Sequence, residues 1–250
     1  TTAFCSGSAL IYGRRFRCWF EAGHGAVDLY EAIRHSCNIY FYSIGRRMSV
    51  DTIAAYATDF GLGRRTGIDI PGEREGLVPT TEWKRRVMKE DWYPGETISV
   101  AIGQGPLQVT PIQVAAMTAA IANRGTSVHP RLSLEKPTEA GIIRIPSSVM
   151  NEIIEGMWRS ANAGGTGASA RVEGFDVCSK TGTVQTISRE TAERLGLKPK
   201  THAWFTGFAP RREPLIVVTV LVEFGGGGGA AAAPAAGELF KIFKSKAAGT

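Results

Sequence analysis

No stretch of the 250 residues approaches the roughly 20 consecutive apolar positions that a helix needs to cross a bilayer. The chain opens Thr1-Thr2-Ala3, with no initiator methionine and no signal segment, and it reads as a piece of something longer, any membrane anchor lying upstream. Long basic runs are missing too. The 29 Lys and Arg outnumber the 23 Asp and Glu by six, but they come in pairs such as Arg14-Arg15, Arg46-Arg47, Arg64-Arg65 and Arg85-Arg86. Without an aromatic-rich RNA motif beside them, these pairs argue against a nucleic-acid face and describe a solvated surface with a positive bias. Internal repeats are absent. Cysteine and histidine are scarce, four of each, so the placing of each one carries information. What is abundant is ordinary: 43% hydrophobic residues at this length fit one mixed α/β domain.

Periodicity divides the chain. Asp28 with Glu31 has the form of a capping-box start, and the helical pattern that follows breaks at Ser36-Cys37-Asn38, where one helix ends and another begins. Ser49 caps a helix running through Phe60, with Gly61 as its stop. Residues 61 to 109 carry so many Gly and Pro signals that only a short helix near Thr81 to Val87 is expected. Thr110-Pro111-Ile112-Gln113 combines a cap, Pro at the first helical position and Gln at the box position, opening a helix toward Gly125. Another helix fits Ser148 to Ala161. Beyond it the period changes to strands at 175 to 187, 202 to 209 and 214 to 224. The last of these is apolar enough over Leu215 to Val222 to be expected at the centre of a sheet. Gly225 to Gly229 then lead as a flexible turn into a terminal helix expected to pack on the sheet through the face of Glu238, Leu239, Phe240, Ile242 and Phe243. Helices followed by strands suggest a helical subdomain over about 25–125 and a sheet-containing part over about 126–250.

Two short motifs carry chemistry. Lys180-Thr181-Gly182-Thr183 lies on an expected strand, and Ser36-Cys37-Asn38 lies at a helix junction. Taken alone, Lys180 also fits an edge-strand lysine, and Ser36 and Asn38 fit helix caps. The wider pattern is more specific. The segments Gly13-Arg14-Arg15-Phe16-Arg17-Cys18-Trp19 and Gly23-His24-Gly25, the run from Glu31 to Tyr42, and Phe60-Gly61-Leu62-Gly63 are joined by Thr66 through Glu73, Ile102-Gly103-Gln104-Gly105, Cys178 to Gln185 and His202-Ala203-Trp204-Phe205. Together they resemble class B penicillin-binding proteins of the elongation type, the penicillin-binding protein 2 group, over nearly the whole chain.

The resemblance implies an α/β fold of the penicillin-binding-protein and serine β-lactamase kind, an antiparallel sheet flanked by helices, of which residues 1–250 would be the C-terminal part. It implies a peptidoglycan D,D-transpeptidase of cell-wall elongation, a target of β-lactams, held in the inner membrane with its catalytic domain on the periplasmic side. Stem peptides, a membrane glycosyltransferase and a scaffold protein of the elongation machinery are the implied partners. By the same resemblance Ser36 would relay a proton near the leaving amine, and Asn38 would bond the activating lysine and the substrate amide. Lys180 would supply a fixed positive charge, while Thr181 and Thr183 would bind the substrate carboxylate. Gly182 lets a peptide approach the strand edge, and the N–H of Thr183 would form half of an oxyanion hole. The family's Ser-x-x-Lys nucleophile motif does not occur before Ser36; the only match, Ser133-Leu134-Glu135-Lys136, falls after it in a proline-flanked stretch and is a coincidence. These 250 residues alone are therefore expected to be inert toward β-lactams. A D,D-carboxypeptidase, a β-lactam hydrolase and a non-catalytic sensor or scaffold share the same motifs.

Cys5, Cys18, His24 and Cys37 could bring three thiolates and an imidazole to a structural zinc. In the oxidising compartment that the resemblance implies, a Cys5 to Cys18 disulfide is the rival, though it leaves His24 and Cys37 without a role. Catalysis itself calls for no cofactor. Cys178 is expected to be a small buried hydrophobe.

Overall fold

The structure, a computed structural model, describes residues 1–133, 135, 140–185, 191, 194–196 and 200–247. Leu134 and Lys136 of the coincidental Ser-x-x-Lys, and residues 186 and 187 of the first expected strand, lie outside the described residues.

The chain begins with strands so short that alternation cannot reveal them. β1 (Ala3–Cys5) pairs antiparallel with β4 (Gly25–Val27), and between them β2 (Ser8–Ile11) and β3 (Arg14–Arg17) form a hairpin. Its turn residues Tyr12 and Gly13 have φ of 50° and 74°, the left-handed pair whose twist matches that of the flanking strands. α1 (Leu29–His35) follows, capped by Asp28, whose carboxylate accepts the Glu31 N–H at 2.9 Å. After α2 (Asn38–Gly45), α3 (Val50–Asp59) is capped by Ser49 and α4 (Thr81–Met88) by Thr80.

The punctuated stretch holds one helix more than its Gly and Pro content suggests, α5 (Pro94–Val100). Pro94 is at the start, where its missing N–H costs nothing, and Glu96 accepts the N–H of Tyr93 at 2.8 Å. The same carboxylate takes the ammonium of Lys84 at 2.7 Å, so a lysine only 2% exposed pins α4 to α5 while lying over the Tyr93 ring at 4.4 Å. α6 (Pro111–Ala122) has the full capping box of Thr110 and Gln113 and stops three residues short of the expected Gly125. A small pair, β5 (Thr126–Val128) with β6 (Ala140–Ile142), precedes α7 (Ser147–Asn162).

Then comes the sheet that organises the rest: β7 (Cys178–Gln185), β8 (Thr201–Ala209) and β9 (Ile216–Val222), antiparallel in that spatial order, followed by α8 (Ala233–Ala247). The fold is mixed α/β, an antiparallel sheet with helices on both faces. Among the described strands β8 is central and β9 is not, contrary to what its apolar run suggests. The run reflects coverage of both of its faces, by α6 and by α8, rather than pairing on both edges.

Alternation along β8 separates the two cores. Ala203 and Phe205 point toward α8, where Phe240, Ala236, Ala233 and Phe175 are buried with them. Phe208 points the other way, with Cys178, against Ile154 and Met157 of α7 and Ile33 of α1. Phe240 is fully buried and its ring meets Phe205 and Phe175 edge-on at 6.3 and 6.4 Å. Phe240→Ala is expected to lower stability by about 3–5 kcal/mol, read as a shift of the urea unfolding midpoint at unchanged slope.

Candidate active site and metal-binding cluster

Ser36 ends α1 in a left-handed conformation, φ 52° and ψ 47°, that non-glycine residues seldom adopt. The helix geometry around it explains how the strain is held: its N–H returns to the Ile33 carbonyl at 3.3 Å and that of Cys37 to the Ala32 carbonyl at 3.0 Å, so the turn is locked by the last turn of the helix. The turn places Ser36 Oγ 2.7 Å from Nζ of Lys180, a residue 144 positions away on β7. Lys180 also donates to the carbonyl of Thr181 at 2.7 Å. Burial pulls its ammonium down from the ordinary 10.5 to about 8, and among the described residues no carboxylate offsets the lost hydration.

The remaining residues named from the motifs divide according to the strand's alternation. Thr181 points away from Lys180, is 7% exposed, and donates its hydroxyl to Thr166 Oγ1 at 2.6 Å. Thr183 Oγ1 accepts the N–H of Gly228 at 3.2 Å and keeps its own proton for another acceptor. Gly182, between them, pairs with Trp204, whose Cβ would lie 3.2 Å from an added methyl. Asn38 donates its amide to the Arg17 carbonyl at 3.3 Å, and the activating lysine that the resemblance gives it as a partner is not among these 250 residues. Among the described strands β7 pairs only with β8, so its other edge is open to an added strand.

Two further residues that the motifs do not mark border this edge, and a third packs on the seam between β7 and β8. Gln104, between two left-handed glycines, donates its amide to the Thr183 carbonyl at 3.0 Å. Thr166, in Gly164-Gly165-Thr166-Gly167, receives the Thr181 proton and is itself fixed by a backbone bond to the Arg34 carbonyl at 3.0 Å. Gly228 packs so close that a Cβ would stand 2.4 Å from the carbonyls of both Gly182 and Trp204. The signal in the sequence was the glycine itself: such clusters mark close approach of backbones, though not to which strand.

Cys5 ends β1, Cys18 follows β3, His24 precedes β4 and Cys37 follows Ser36, and their four ligand atoms lie within 4.8 Å of one another. His24 Nδ1 is 3.6 Å from the sulfurs of both Cys5 and Cys18. Tetrahedral zinc with S at ~2.3 Å and N at ~2.0 Å requires N to S spacings of about 3.5 Å, so the donor set fits the ion in kind and in spacing. All four cysteines are free thiols, the Cys5 to Cys18 disulfide not being formed. A hydrogen bond from Cys37, joined by the N–H groups of Phe20 and Asn38, draws the Cys18 thiol down; Cys37, which keeps its proton as the donor in that bond, is pushed up, and burial adds to the rise. Nε2 of His24 is buried with no partner among the described residues, and the ring is held by stacking on His35 at 5.3 Å. Cys178 is the buried hydrophobe expected, its thiol pushed up to about 12 by burial.

The family described as penicillin binding protein transpeptidase domain matches residues 1–241. The peptidoglycan D,D-transpeptidase MrdA of Acinetobacter baumannii is 37% identical over 84% of this chain, which spans 34% of that relative. Among solved structures, the penicillin-binding protein PBP2 of Helicobacter pylori in complex with MreC is 32% identical, with a TM-score of 0.84 over 97% of this chain and 45% of that one. PBP2 of Pseudomonas aeruginosa in complex with WCK 5153 is 32% identical, with a TM-score of 0.83 over 97% and 53%. The chain thus spans about a third of the curated relative and about half of the solved proteins. On sequence and on fold together, this chain belongs to the penicillin-binding-protein transpeptidase domain family.

Proposed function

We propose that this chain is part of a peptidoglycan D,D-transpeptidase of cell-wall elongation, working through an acyl-serine and taking β-lactams in place of the stem peptide. The contact of Lys180 with Ser36 carries the reading, because it joins the two motif segments in one place and sets a low-pKa ammonium against a hydroxyl that can pass a proton. The nucleophilic serine and its lysine come from a segment outside these 250 residues. Its oxygen attacks the penultimate D-alanine carbonyl, the C–N bond breaks, and D-alanine leaves with a proton relayed through Ser36. An amine of a second strand then attacks the ester, and the serine oxygen departs with the proton of that amine.

This chain's residues serve donor binding and proton transfer. The open edge of β7 takes the donor peptide as an added strand, with the Thr183 N–H at the oxyanion and the Thr183 hydroxyl toward the carboxylate. Lys180 supplies positive charge beside it. Gly182 leaves room for the peptide backbone. Thr181 acts through Thr166, whose hydroxyl receives its proton and can donate its own onward. Asn38, bound to Arg17, holds the Ser36 turn to the hairpin and turns toward the lysine of the nucleophile only if that bond is exchanged. The chain would form one transpeptidase domain with the rest of the protein, its helical part over about 25–125 and its sheet part over about 126–250. An anchor in the inner membrane would keep it periplasmic, beside a membrane glycosyltransferase and a scaffold protein, a reading supported by the complex of the Helicobacter relative with MreC. No described helix is long and apolar enough to cross a membrane.

Cys5, Cys18, His24 and Cys37 are the ligands of a structural zinc. The ion would supply a fourfold tie between the strands at the start of the chain and the Ser36 turn, without entering the chemistry.

Fluorescent penicillin should label the full-length protein and stay bound, whereas Lys180→Ala should slow labelling at least about 100-fold, the range for losing a group that assists proton transfer. Rapid turnover of the drug would instead make the protein a hydrolase. Metal analysis of the purified full-length protein should find one zinc per chain, and Cys37→Ser should lose most of it; a wild type without zinc refutes the site. Because burial lowers Lys180, the unfolded chain binds its proton more tightly than the folded one. Stability of the wild type relative to Lys180→Met should therefore rise between pH 8 and 10.5 and be flat below pH 7, as followed by urea midpoints across that range.

A further inference from the structure

The hairpin that precedes the metal-ligand cluster carries a feature that donor binding does not use. Along β3 the side chains of Arg15 and Arg17 fall on one face, as alternation requires, and pairing places Ser8 opposite Arg17 on that face. Arg15 Nη1 donates to Ser8 Oγ at 3.2 Å. Among the described residues neither guanidinium has a carboxylate within salt-bridge distance, and both are exposed. With Ser6, Gly7 and Glu21 they line a shallow cavity of about 280 Å3. Two cations two residues apart on one face repel each other, Glu21 lines the cavity without pairing with either, and an anion bridging both would relieve the repulsion.

The cavity is held rigidly and close to the active turn. Gly7 has φ 85°, and a Cβ there would stand 2.0 Å from the Glu21 carbonyl, so the two walls pack backbone to backbone. The Cys18 N–H bonds the Gly7 carbonyl at 2.8 Å. The Arg17 carbonyl accepts from Asn38 and from the Tyr42 hydroxyl, both at 3.3 Å, and the Trp19 indole donates to the His35 carbonyl at 2.8 Å. The hairpin is thus bonded to the residues on either side of Ser36.

We infer that Arg15 and Arg17, with Ser8, form a subsite for a carboxylate of the acceptor strand, the peptide whose amine takes the acyl group. This rests on the transpeptidase reading and assigns the acceptor a place apart from the β7 edge that holds the donor. Glu21 lines the same cavity, so two guanidiniums stand against one carboxylate there and the remaining positive charge suits a single further carboxylate.

The test uses the full-length protein, a thioester donor, and a synthetic acceptor peptide with a free amine, made once with a terminal carboxylate and once as the amide. The wild type should use the carboxylate acceptor about 10-fold or more better in kcat/KM, the worth of a charge-assisted hydrogen bond pair. Arg15→Ala/Arg17→Ala should erase that preference through the acceptor KM, leaving the amide acceptor within about twofold and benzylpenicillin acylation and zinc content unchanged. Equal use of both acceptors by the wild type, which needs no variant, overturns the subsite. So does a double variant that keeps the preference or that loses both acceptors and acylation alike. Failure of the wild type to be acylated by benzylpenicillin would be a different result, against the transpeptidase reading itself.

Discussion

The approach of Lys180 Nζ to Ser36 Oγ is the constraint around which the other contacts are arranged, and both ends of it are costly. One end is a serine in a left-handed turn, the other a half-buried ammonium whose proton affinity burial lowers, and each persists only if its surroundings over-determine it. The surroundings do. Glu31 of α1 pairs with Arg34 at 3.0 Å and reaches Arg159 of α7 at 3.4 Å. Glu155, on α7, pairs with Arg159 and with Arg211 beyond β8, and its carboxyl is held below its usual range by those guanidiniums. Asn162 at the end of α7 donates to the Val177 carbonyl at 2.7 Å, one residue before β7. A charged and hydrogen-bonded path therefore runs from the helix that ends in Ser36 to the strand that carries Lys180, alongside the apolar packing of Ile33 on Phe208 and Ile154. The individual surface pairs are worth little, but a network spanning three elements fixes their relative position.

The start of the chain is stabilised in a different way. Strands of three and four residues bury too little apolar surface to stand alone, and several large side chains there, Phe4, Leu10 and Trp19, remain exposed. What is buried is sulfur: Cys5, Cys18 and Cys37 lie at 4% exposure or less in one cluster with Ile39, Tyr40 and Tyr42 of α2. Four convergent donors from four separate places in the chain suit a tie between elements that packing alone holds weakly. The arginine hairpin is held beside the Ser36 turn by the Cys18 N–H on the Gly7 carbonyl and by Asn38 and Tyr42 on the Arg17 carbonyl.

Reading order along the sequence and position in space part company most clearly at the sheet. The alternation of β7 is visible in Cys178 to Gln185, yet which side of the strand meets Ser36 depends on the helix layer it packs against. That choice sends Lys180 toward α1 and Thr181 into the Gly164 to Gly167 loop. β9 shows the same limit, since a run of apolar residues reports that both faces are covered and is silent about edges. α5 was hidden for the opposite reason: Pro94-Gly95 breaks a helix in its interior but opens one at its start, and only the Lys84 to Glu96 contact, made through tertiary folding, selects the second role.

The amino-acid sequence by itself determined the caps, the helical and strand periods after residue 28, the family, and the identity of the residues that could do chemistry. These are local properties, carried by residue type and spacing. Tertiary structure alone decided that Cys5, Cys18, His24 and Cys37 converge, that Asn38 bonds the Arg17 carbonyl, that Gln104 and Thr166 border the β7 edge, and that Arg15 and Arg17 share an exposed face. Each of these depends on the meeting of segments tens of residues apart, and a meeting of that kind is set by the packing of whole layers, which no short window of sequence contains.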